Sequence, residues 1–306
     1  STTCGTIYSD LFESQRFYSS LDHAIGVALV VWHFTHDKKQ TLAGLFHDIA
    51  TPVFKHCVDF MNGDHLAQES TEDLTTEVIA GSPEIRRLLK RDGILISEVD
   101  NYHLYPIADN DTPKLSADRL EYSLANMFFA YGVADLAEIR EMYADIVVQS
   151  GENGVKELGF QTKKIARKFV KLTSQLSLFY REDRTRYSMQ FLADILKKMS
   201  ESGRISVADL YQLKESEVIE MILASDYCDA FLAWQKAKKI KKVKSLEECP
   251  DGVYVVNCQA KVRYIDPLWQ GERMSKACKI AKGYIEKNLA YKMEGYLYLP
   301  GAKLTQ

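Results

Sequence analysis

Apolar residues along this chain recur mostly at helical spacing, in segments separated by short charged turns. Segment 22–36 (DHAIGVALVVWHFTH) is apolar on almost every face, which predicts a buried helix. A second helix is expected over 38–50 (KKQTLAGLFHDIA). Pro52 should end or bend it, because proline disfavours helical backbone in the residue before it.

Further helices are predicted downstream, and their ends carry recognisable signals. Segment 71–80 opens at Ser70-Thr71 and is closed by Gly81. Segment 116–132 begins at Ser116, a partial capping signature because an Arg rather than a Glu stands three residues later. Segments 134–148 and 163–203 continue the pattern, and the second of these is long enough for two helices.

The pattern changes near residue 245. Segment 252–269 is rich in Val and Tyr and predicts two strands around Asn257. A late helix is expected over 275–293 and a last strand over 295–300. The fold class predicted is therefore mainly α, with a helical domain at 1–190 and a C-terminal helical and α/β region at 191–306.

Composition narrows the class of protein. The chain has 306 residues, is 46% apolar and 26% charged, and has a net charge of −3, so no overall field attracts it to nucleic acid or to anionic membrane. Its six cysteines form no C-x-x-C pair, which favours free thiols in a reducing cytoplasm. The first ten residues do not resemble a signal peptide, and the longest apolar stretch is too short to span a bilayer. We expect a cytoplasmic protein.

The histidines are unevenly distributed, which points to a metal site. All seven fall within the first 103 residues. His47 and Asp48 are adjacent, late in an apolar run, with His23 upstream and Asp118 downstream. Imidazole nitrogen and carboxylate oxygen together suit a divalent Mn, Mg, Fe, Ni or Zn ion. A single histidine in an apolar helix is more often a core residue, so the prediction depends on the order, spacing and context of the four.

Three segments that contain these residues resemble one family. "LDHAIGVA", "LAGLFHDIATPVFKH" and "SADRLEYSL" are similar to the H…HD…D pattern of the HD-domain metal-dependent phosphohydrolases, and most to the branch of deoxynucleoside triphosphate triphosphohydrolases. The resemblance is specific around residues 21–60 and 116–123. It implies a helical HD core, metal ligation by His23, His47, Asp48 and Asp118, and hydrolysis of a phosphoester or phosphoanhydride, most plausibly of a nucleotide, by metal-bound water that Asp118 or an adjacent carboxylate orients.

The chain also departs from that branch. Thr51 stands where the branch has a histidine, and Gln68-Glu69 stand where it has His-Glu, so two imidazoles that handle protons are missing. His56 matches the branch and is a candidate general acid, with a buried helix histidine as the alternative. His65 is a candidate substitute for the second missing imidazole. The departures also motivate an alternative function, a catalytically degenerate protein that binds or senses a nucleotide.

Other residues are candidates for substrate binding. Arg119 and Tyr122 follow Asp118 on the same predicted helix and are expected to line a pocket, or otherwise to form a salt bridge and a core contact. The cluster Arg184, Arg186 and Tyr187 is a second candidate for holding phosphate, or a charged helix start. His33 and His36 are expected at a helix end, where histidine is favourable. His103 is expected in a Tyr-rich surface loop, with substrate contact as the alternative.

The sequence says less about binding partners other than a metal ion. Six lysines in 236–244 predict an amphipathic helix with a solvated face, and such helices sometimes bind nucleic acid or anionic lipid. The net charge argues against a nucleic-acid partner. The resemblance implies a small-molecule phosphate substrate and a possible homo-oligomer, with the α/β tail as a possible interface.

Overall fold

The structure is a computed structural model that describes residues 1–13, 15–61, 63 and 74–304. The candidate His65 and the substituted position Gln68 lie outside the described residues. Within these ranges the chain is mainly α-helical, with two small sheets. None of the described helices is both long enough and apolar enough to cross a membrane.

The helices follow one another along most of the chain. They are α1 (Ser20–Thr35), α2 (Lys38–Phe46), α3 (His56–Met61), α4 (Thr75–Gly81), α5 (Pro83–Asp92), α6 (Ala117–Ala125), α7 (Leu136–Ala144), α8 (Lys163–Phe179), α9 (Asp183–Glu201), α10 (Val207–Gln212), α11 (Glu215–Leu223), α12 (Cys228–Gln235), α13 (Met274–Ala277) and α14 (Lys279–Leu289). Helix α6 continues directly into a π-helical turn, Asn126–Ala130.

The strands form two sheets. They are β1 (Ile146–Ser150), β2 (Lys156–Phe160), β3 (Lys241–Val243), β4 (Val255–Val256), β5 (Leu268–Trp269), β6 (Glu272–Arg273) and β7 (Tyr296–Tyr298). One sheet has the order β1-β2-β5-β6, with a parallel pairing between β2 and β5 and antiparallel pairings elsewhere. The other has the order β3-β7-β4 and is antiparallel, with Lys241 opposite Tyr298.

Two large apolar clusters stabilise the fold. One surrounds α9 and contains Phe191, Phe231, Trp234 and Leu297, all at most 1% exposed. The other lies among α1, α6, α8, α14 and the first sheet. Helix α1 packs against both α2 and α6, and α3 packs against α9. Because α2 and α6 both pack against α1, side chains from all three helices are able to meet.

Capping residues fix where these three helices begin. Ser19 and Asp22 form a reciprocal capping box on α1. The Asp37 carboxylate accepts from the first backbone amides of α2. Ser116 accepts from the backbone amide of Arg119, so the predicted cap of α6 is confirmed.

Several predicted elements differ from the structure. The lysine-rich segment does not form an amphipathic helix: α12 ends at Gln235, and β3 begins at Lys241 because these residues pair with β7. The predicted helix 134–148 ends at Ala144, and its apolar end is the strand β1. Of the two strands predicted around Asn257, the short β4 forms before it, and after it a strand, β5, begins only at Leu268, at the end of the segment. Residue 190, the predicted boundary between two regions, lies inside α9.

A buried ion pair joins the first sheet, and its loss gives a stability prediction. The guanidinium of Arg273 (side chain 7% exposed) donates to both carboxylate oxygens of Glu157 (1% exposed), at 2.5 and 3.0 Å. Arg273→Met leaves the Glu157 charge buried without its partner, so we expect a loss of about 3–5 kcal/mol in the free energy of unfolding. Urea denaturation measures it.

The control uses the exposed partner of the same arginine. Glu152 also accepts from Arg273, but its side chain is 48% exposed. We expect Glu152→Gln to cost less than about 1 kcal/mol. Equal losses for the two variants would contradict the assignment of the stabilisation to Glu157.

Candidate metal centre

Three side chains from separate elements converge on one point. His23 lies in the first turn of α1, His47 directly follows α2, and Asp118 lies in the first turn of α6. The Nε2 atom of His23 is 3.2 Å from Nε2 of His47 and 3.2 Å from Oδ1 of Asp118. The third distance, from His47 Nε2 to Asp118 Oδ1, is 3.7 Å. Residues 24 and 95 positions apart in sequence therefore form one donor cluster.

The hydrogen bonds of the two imidazoles leave this cluster able to accept a cation. His47 Nδ1 donates to the carbonyl oxygen of Gly44 at 2.7 Å, and His23 Nδ1 donates to the Glu121 carboxylate. A neutral imidazole that donates through Nδ1 presents only a lone pair at Nε2. With both rings neutral, two lone pairs and a carboxylate oxygen face one another, which is unfavourable unless a proton or a metal ion supplies positive charge between them.

The pKa shifts of His23 and Asp118 also indicate that the cluster lacks positive charge. Burial acts to lower the pKa of His23, but the hydrogen bonds with Asp118 and Glu121 outweigh it and raise the pKa to about 9. Burial acts to raise the pKa of Asp118, yet the hydrogen bond from His23 and the charges of both histidines lower it to about 2. The cluster favours an added positive charge.

The donor geometry fits a divalent ion. Donor atoms bound at about 2.1 Å lie about 3.0–3.4 Å apart in octahedral or tetrahedral arrangements. The three distances of 3.2, 3.2 and 3.7 Å come close to that range without any movement of the backbone. Two imidazoles with a carboxylate suit Mn, Fe, Ni, Zn or, less well, Mg.

Asp48 lies at the edge of this cluster and is held by a lysine. Its carboxylate oxygens are 3.8 Å from Nε2 of His23 and of His47, whereas Lys55 Nζ is 2.5 Å from Oδ2. Burial acts to raise the pKa of Asp48, but the charges of Lys55 and the two histidines hold it well below its usual value. Asp48 is thus an ionised carboxylate shared between the cluster and Lys55.

Glu121 fixes the orientation of His23. It lies one turn after Asp118 on α6, is buried, and accepts from both His23 and the Tyr18 hydroxyl. The close approach requires Gly26, because a Cβ there would lie 2.7 Å from Oε1 of Glu121. Carboxylates that accept from a ligand histidine orient the ring and raise its basicity.

The cluster opens into a cavity of about 330 Å³. Its wall mixes positive and aromatic side chains. The basic residues are Lys55, Arg119, Arg186, Lys261 and Arg263, and the tyrosines are Tyr18, Tyr102, Tyr122, Tyr131, Tyr180 and Tyr264. Cations beside aromatic faces offer contacts to both a phosphate group and a flat ring.

Predicted residues outside the metal cluster also line this cavity. Arg119 lines it, while its guanidinium is also held by Asn110 at 2.7 Å. Tyr122 lines it, and burial raises the pKa of its hydroxyl. His56 lines it from the start of α3, 2.9 Å from the buried Asp59 carboxylate. His103, expected in a surface loop, lines it as well and bonds Asp109 at 2.8 Å.

The second predicted phosphate cluster is not brought to the cavity as a unit. Arg184 donates to Glu182 and to the carbonyl oxygen of Leu11, and its guanidinium stacks on Phe12. Tyr187 is fully buried in the core around α9. Neither side chain lines the cavity, because successive positions on α9 face different neighbours; only Arg186 of this cluster does.

The other two histidines lie at the far end of α1. His36 caps that helix in the left-handed conformation, as expected for a helix end. His33 bonds the Tyr143 hydroxyl at 2.8 Å.

Sequence reasoning missed Lys55 and Glu121. Lys55 is placed by two consecutive residues with positive φ, Phe54 (59°) and Lys55 itself (45°), an uncommon conformation outside glycine. No residue type in "TPVFKH" signals it. Glu121 had a detectable signal, since it lies three residues after Asp118 and therefore on the same face of α6.

Comparisons with known proteins identify one curated relative and solved structures with a similar fold. No family model matches the chain. A curated relative, the uncharacterised protein YdhJ of Bacillus subtilis, is 27% identical over 206 residues, which cover 67% of this chain and 61% of that protein. The match therefore spans less than two thirds of the relative's length.

Two solved structures are similar over nearly the whole chain. A hypothetical protein from Aquifex aeolicus has a TM-score of 0.58 at 16% identity, covering 98% of this chain and 92% of the other. A protein from Bacteroides thetaiotaomicron named a phosphohydrolase has a TM-score of 0.56 at 11% identity, covering 96% and 94%. These likenesses show a shared fold.

Proposed function

We propose that this protein is an HD-type, metal-dependent phosphohydrolase that cleaves a phosphoester or phosphoanhydride of a nucleotide. The observation that carries the proposal is the meeting of two imidazole Nε2 atoms and one carboxylate oxygen within 3.2–3.7 Å at the wall of a cavity. The shared fold with a protein named a phosphohydrolase supports it.

In this proposal the ligands are His23, His47 and Asp118, with Asp48 as the fourth residue of the set. A bound divalent ion supplies a polarised water and withdraws charge from a phosphoryl oxygen. The chain's own contribution is to hold the donors in place: Gly44 and Glu121 fix the two imidazole rings. Asp48 lies on the cavity side, where its charge orients water.

Lys55 has a separate role in the proposed chemistry. Its side chain is 12% exposed and lines the cavity beside Asp48. Phosphoryl transfer requires fixed positive charge near the equatorial oxygens, because charge is spread over them in the transition state. Lys55 provides such a charge without being a metal ligand.

Proton delivery to the leaving group is assigned to His56. Its Nδ1 is held by Asp59, which is fully buried, so the ring has a fixed orientation and its other nitrogen is able to face the cavity. Thr51 also lines the cavity but carries no imidazole. The absence of an imidazole at Thr51 makes a monophosphate or another phosphoester at least as suitable a substrate as a triphosphate.

The substrate class follows from the cavity wall. Lys55, Lys261 and Arg263 line the cavity together with Tyr122, Tyr180 and Tyr264. A nucleotide presents a phosphate that such cations bind and a flat base that such aromatic rings contact.

The deciding experiment is hydrolysis of a nucleotide panel by the purified protein with Mn²⁺ or Mg²⁺. We expect release of phosphate, pyrophosphate or triphosphate from at least one nucleotide, and loss of that release in His47→Ala. A protein that binds nucleotides without turning them over would release nothing with the metal fully bound, and His47→Ala would change only affinity or stability. That outcome would contradict the hydrolase proposal and support the alternative, a catalytically degenerate protein that binds or senses a nucleotide.

A milder variant tests the role of Glu121. Glu121→Gln keeps the size of the side chain but removes the charge that the His23 Nδ1 proton faces. We expect Mn²⁺ affinity to fall by about 10- to 100-fold, as for other carboxylates that orient ligand histidines. Isothermal titration measures the dissociation constant.

The matched control for that variant is Glu98→Gln, which breaks a surface ion pair with Lys39. It is expected to leave Mn²⁺ affinity unchanged. Equal affinities of Glu121→Gln and wild type would show that Glu121 does not orient a ligand.

A further inference from the structure

The outer face of α1 is apolar and exposed. Leu21, Ile25, Leu29 and Trp32 are 66%, 42%, 62% and 41% exposed, and they recur at intervals of four, four and three residues. This spacing puts all four on one face of the helix, opposite His23, Val27 and Val31, which are buried. We call these four residues the α1 stripe.

The α1 stripe is unusual for a helix face in contact with water. A surface helix of a globular protein normally carries charged residues on its outer side. Helix α1 contains no Lys, Arg or Glu, and its one carboxylate, Asp22, is engaged in the capping box. The sequence of α1 predicts a helix that is buried on every side, but in the structure only its inner side is buried.

We propose that a second copy of this chain covers the α1 stripe, through an antiparallel pairing of α1 with α1 of the partner about a two-fold axis. In a two-fold interface, a residue i that contacts residue j of the partner is matched by j contacting i. The residues of the α1 stripe are spaced for such a pairing, because Leu21 and Leu29 lie four residues on either side of Ile25. With Ile25 on the axis, Leu21 of each copy faces Leu29 of the other.

The flanking residues continue the symmetry. Phe17 precedes α1 and is 62% exposed, and Trp32 lies seven residues after Ile25. An antiparallel pairing brings the Phe17 end of one copy to the Trp32 end of the other, so aromatic side chains meet at both edges. It also sets the positive N-terminal end of each helix dipole beside the negative C-terminal end of its partner.

The exposed area is sufficient for a dimer. Five large side chains exposed by roughly half present on the order of 500 Å² per copy, or about 1,000 Å² for the pair, near the lower limit of specific interfaces. A contiguous apolar patch of this size marks an interaction site. The pairing does not depend on the proposed hydrolysis.

The test is the mass of the protein in solution. Sedimentation equilibrium at about 20 µM should give a dimer, since a dimer with a Kd near 1 µM is mostly assembled at that concentration. Leu29→Glu puts a charge at the contact with Leu21 of the partner, and we expect it to raise the dimer Kd by about 100-fold or more. Ile280→Glu on α14, at a position 52% exposed, is the matched control and should remain dimeric.

A cross-link tests the orientation. Ile25→Cys lies on the proposed axis and should form a disulfide between copies on mild oxidation, in excess of any from the six native cysteines of the wild type. A monomeric wild type would overturn the proposal and leave the α1 stripe to a different protein. A dimer that Leu29→Glu leaves intact, or that Ile25→Cys does not link, would overturn it as well.

Discussion

Asp118→Asn is expected to lower the rate of nucleotide hydrolysis by about 1,000-fold or more, because losing a residue that merely orients a ligand already costs about 10- to 100-fold. The substitution keeps the shape of the side chain but removes the only negative charge among the three converging donors, 3.2 Å from Nε2 of His23. Mn²⁺ affinity should fall in parallel. Initial rates and isothermal titration measure the two effects.

The control for Asp118→Asn is Asp111→Asn. Asp111 lies in the loop before α6, and its side chain is 93% exposed. This variant should keep the wild-type rate and affinity. Hydrolysis by Asp118→Asn at the wild-type rate would remove Asp118 from the proposed chemistry.

Lys55→Met is expected to separate metal binding from turnover. Removing a positive charge 2.5 Å from Asp48 makes the cluster more negative, so Mn²⁺ affinity should rise by about 10-fold or more. The same change removes the fixed charge that faces the phosphoryl oxygens, so kcat should fall by about 100-fold or more, as when one such donor is lost. Tighter Mn²⁺ binding together with a lower kcat in Lys55→Met would therefore identify the separate role of Lys55. Isothermal titration and initial rates measure the two effects.

Two variants control for Lys55→Met. Lys55→Arg keeps the charge and should recover much of the activity, whereas Lys38→Met removes an exposed lysine at the start of α2 and should have no effect. A parallel fall in affinity and kcat for Lys55→Met would indicate that the variant disturbs the fold around Asp48 and that Lys55 has no separate role.

The grouping of His23, His47 and Asp118 was predicted from their order and context and from the resemblance to the H…HD…D pattern, and the helix ends then position the three side chains. Ser19 and Ser116 cap the helices that carry His23 and Asp118, and His47 ends α2. Local signals of this kind fix the start of a helix, and the helix then fixes the direction of its side chains. Asp48 was predicted as an equal ligand, but the structure holds it slightly outside the cluster.

The positions that sequence did not predict depend on distant partners. Lys241–Val243 forms a strand only because β7, over fifty residues later, offers backbone groups to pair with. Tyr187 is drawn into the core by Phe191 and Tyr254, so it is unable to bind a ligand in the cavity. Lys55 reaches Asp48 through a left-handed turn that no local residue preference indicates. Tertiary packing overrides local propensity in each case.

Binding of one divalent ion by His23, His47 and Asp118 can be seen in an anomalous difference map at the manganese absorption edge, from crystals grown with Mn²⁺. We expect a peak about 2.0–2.3 Å from Nε2 of both histidines and from Oδ1 of Asp118. A well-ordered site with all three side chains in place and no peak between them would contradict it.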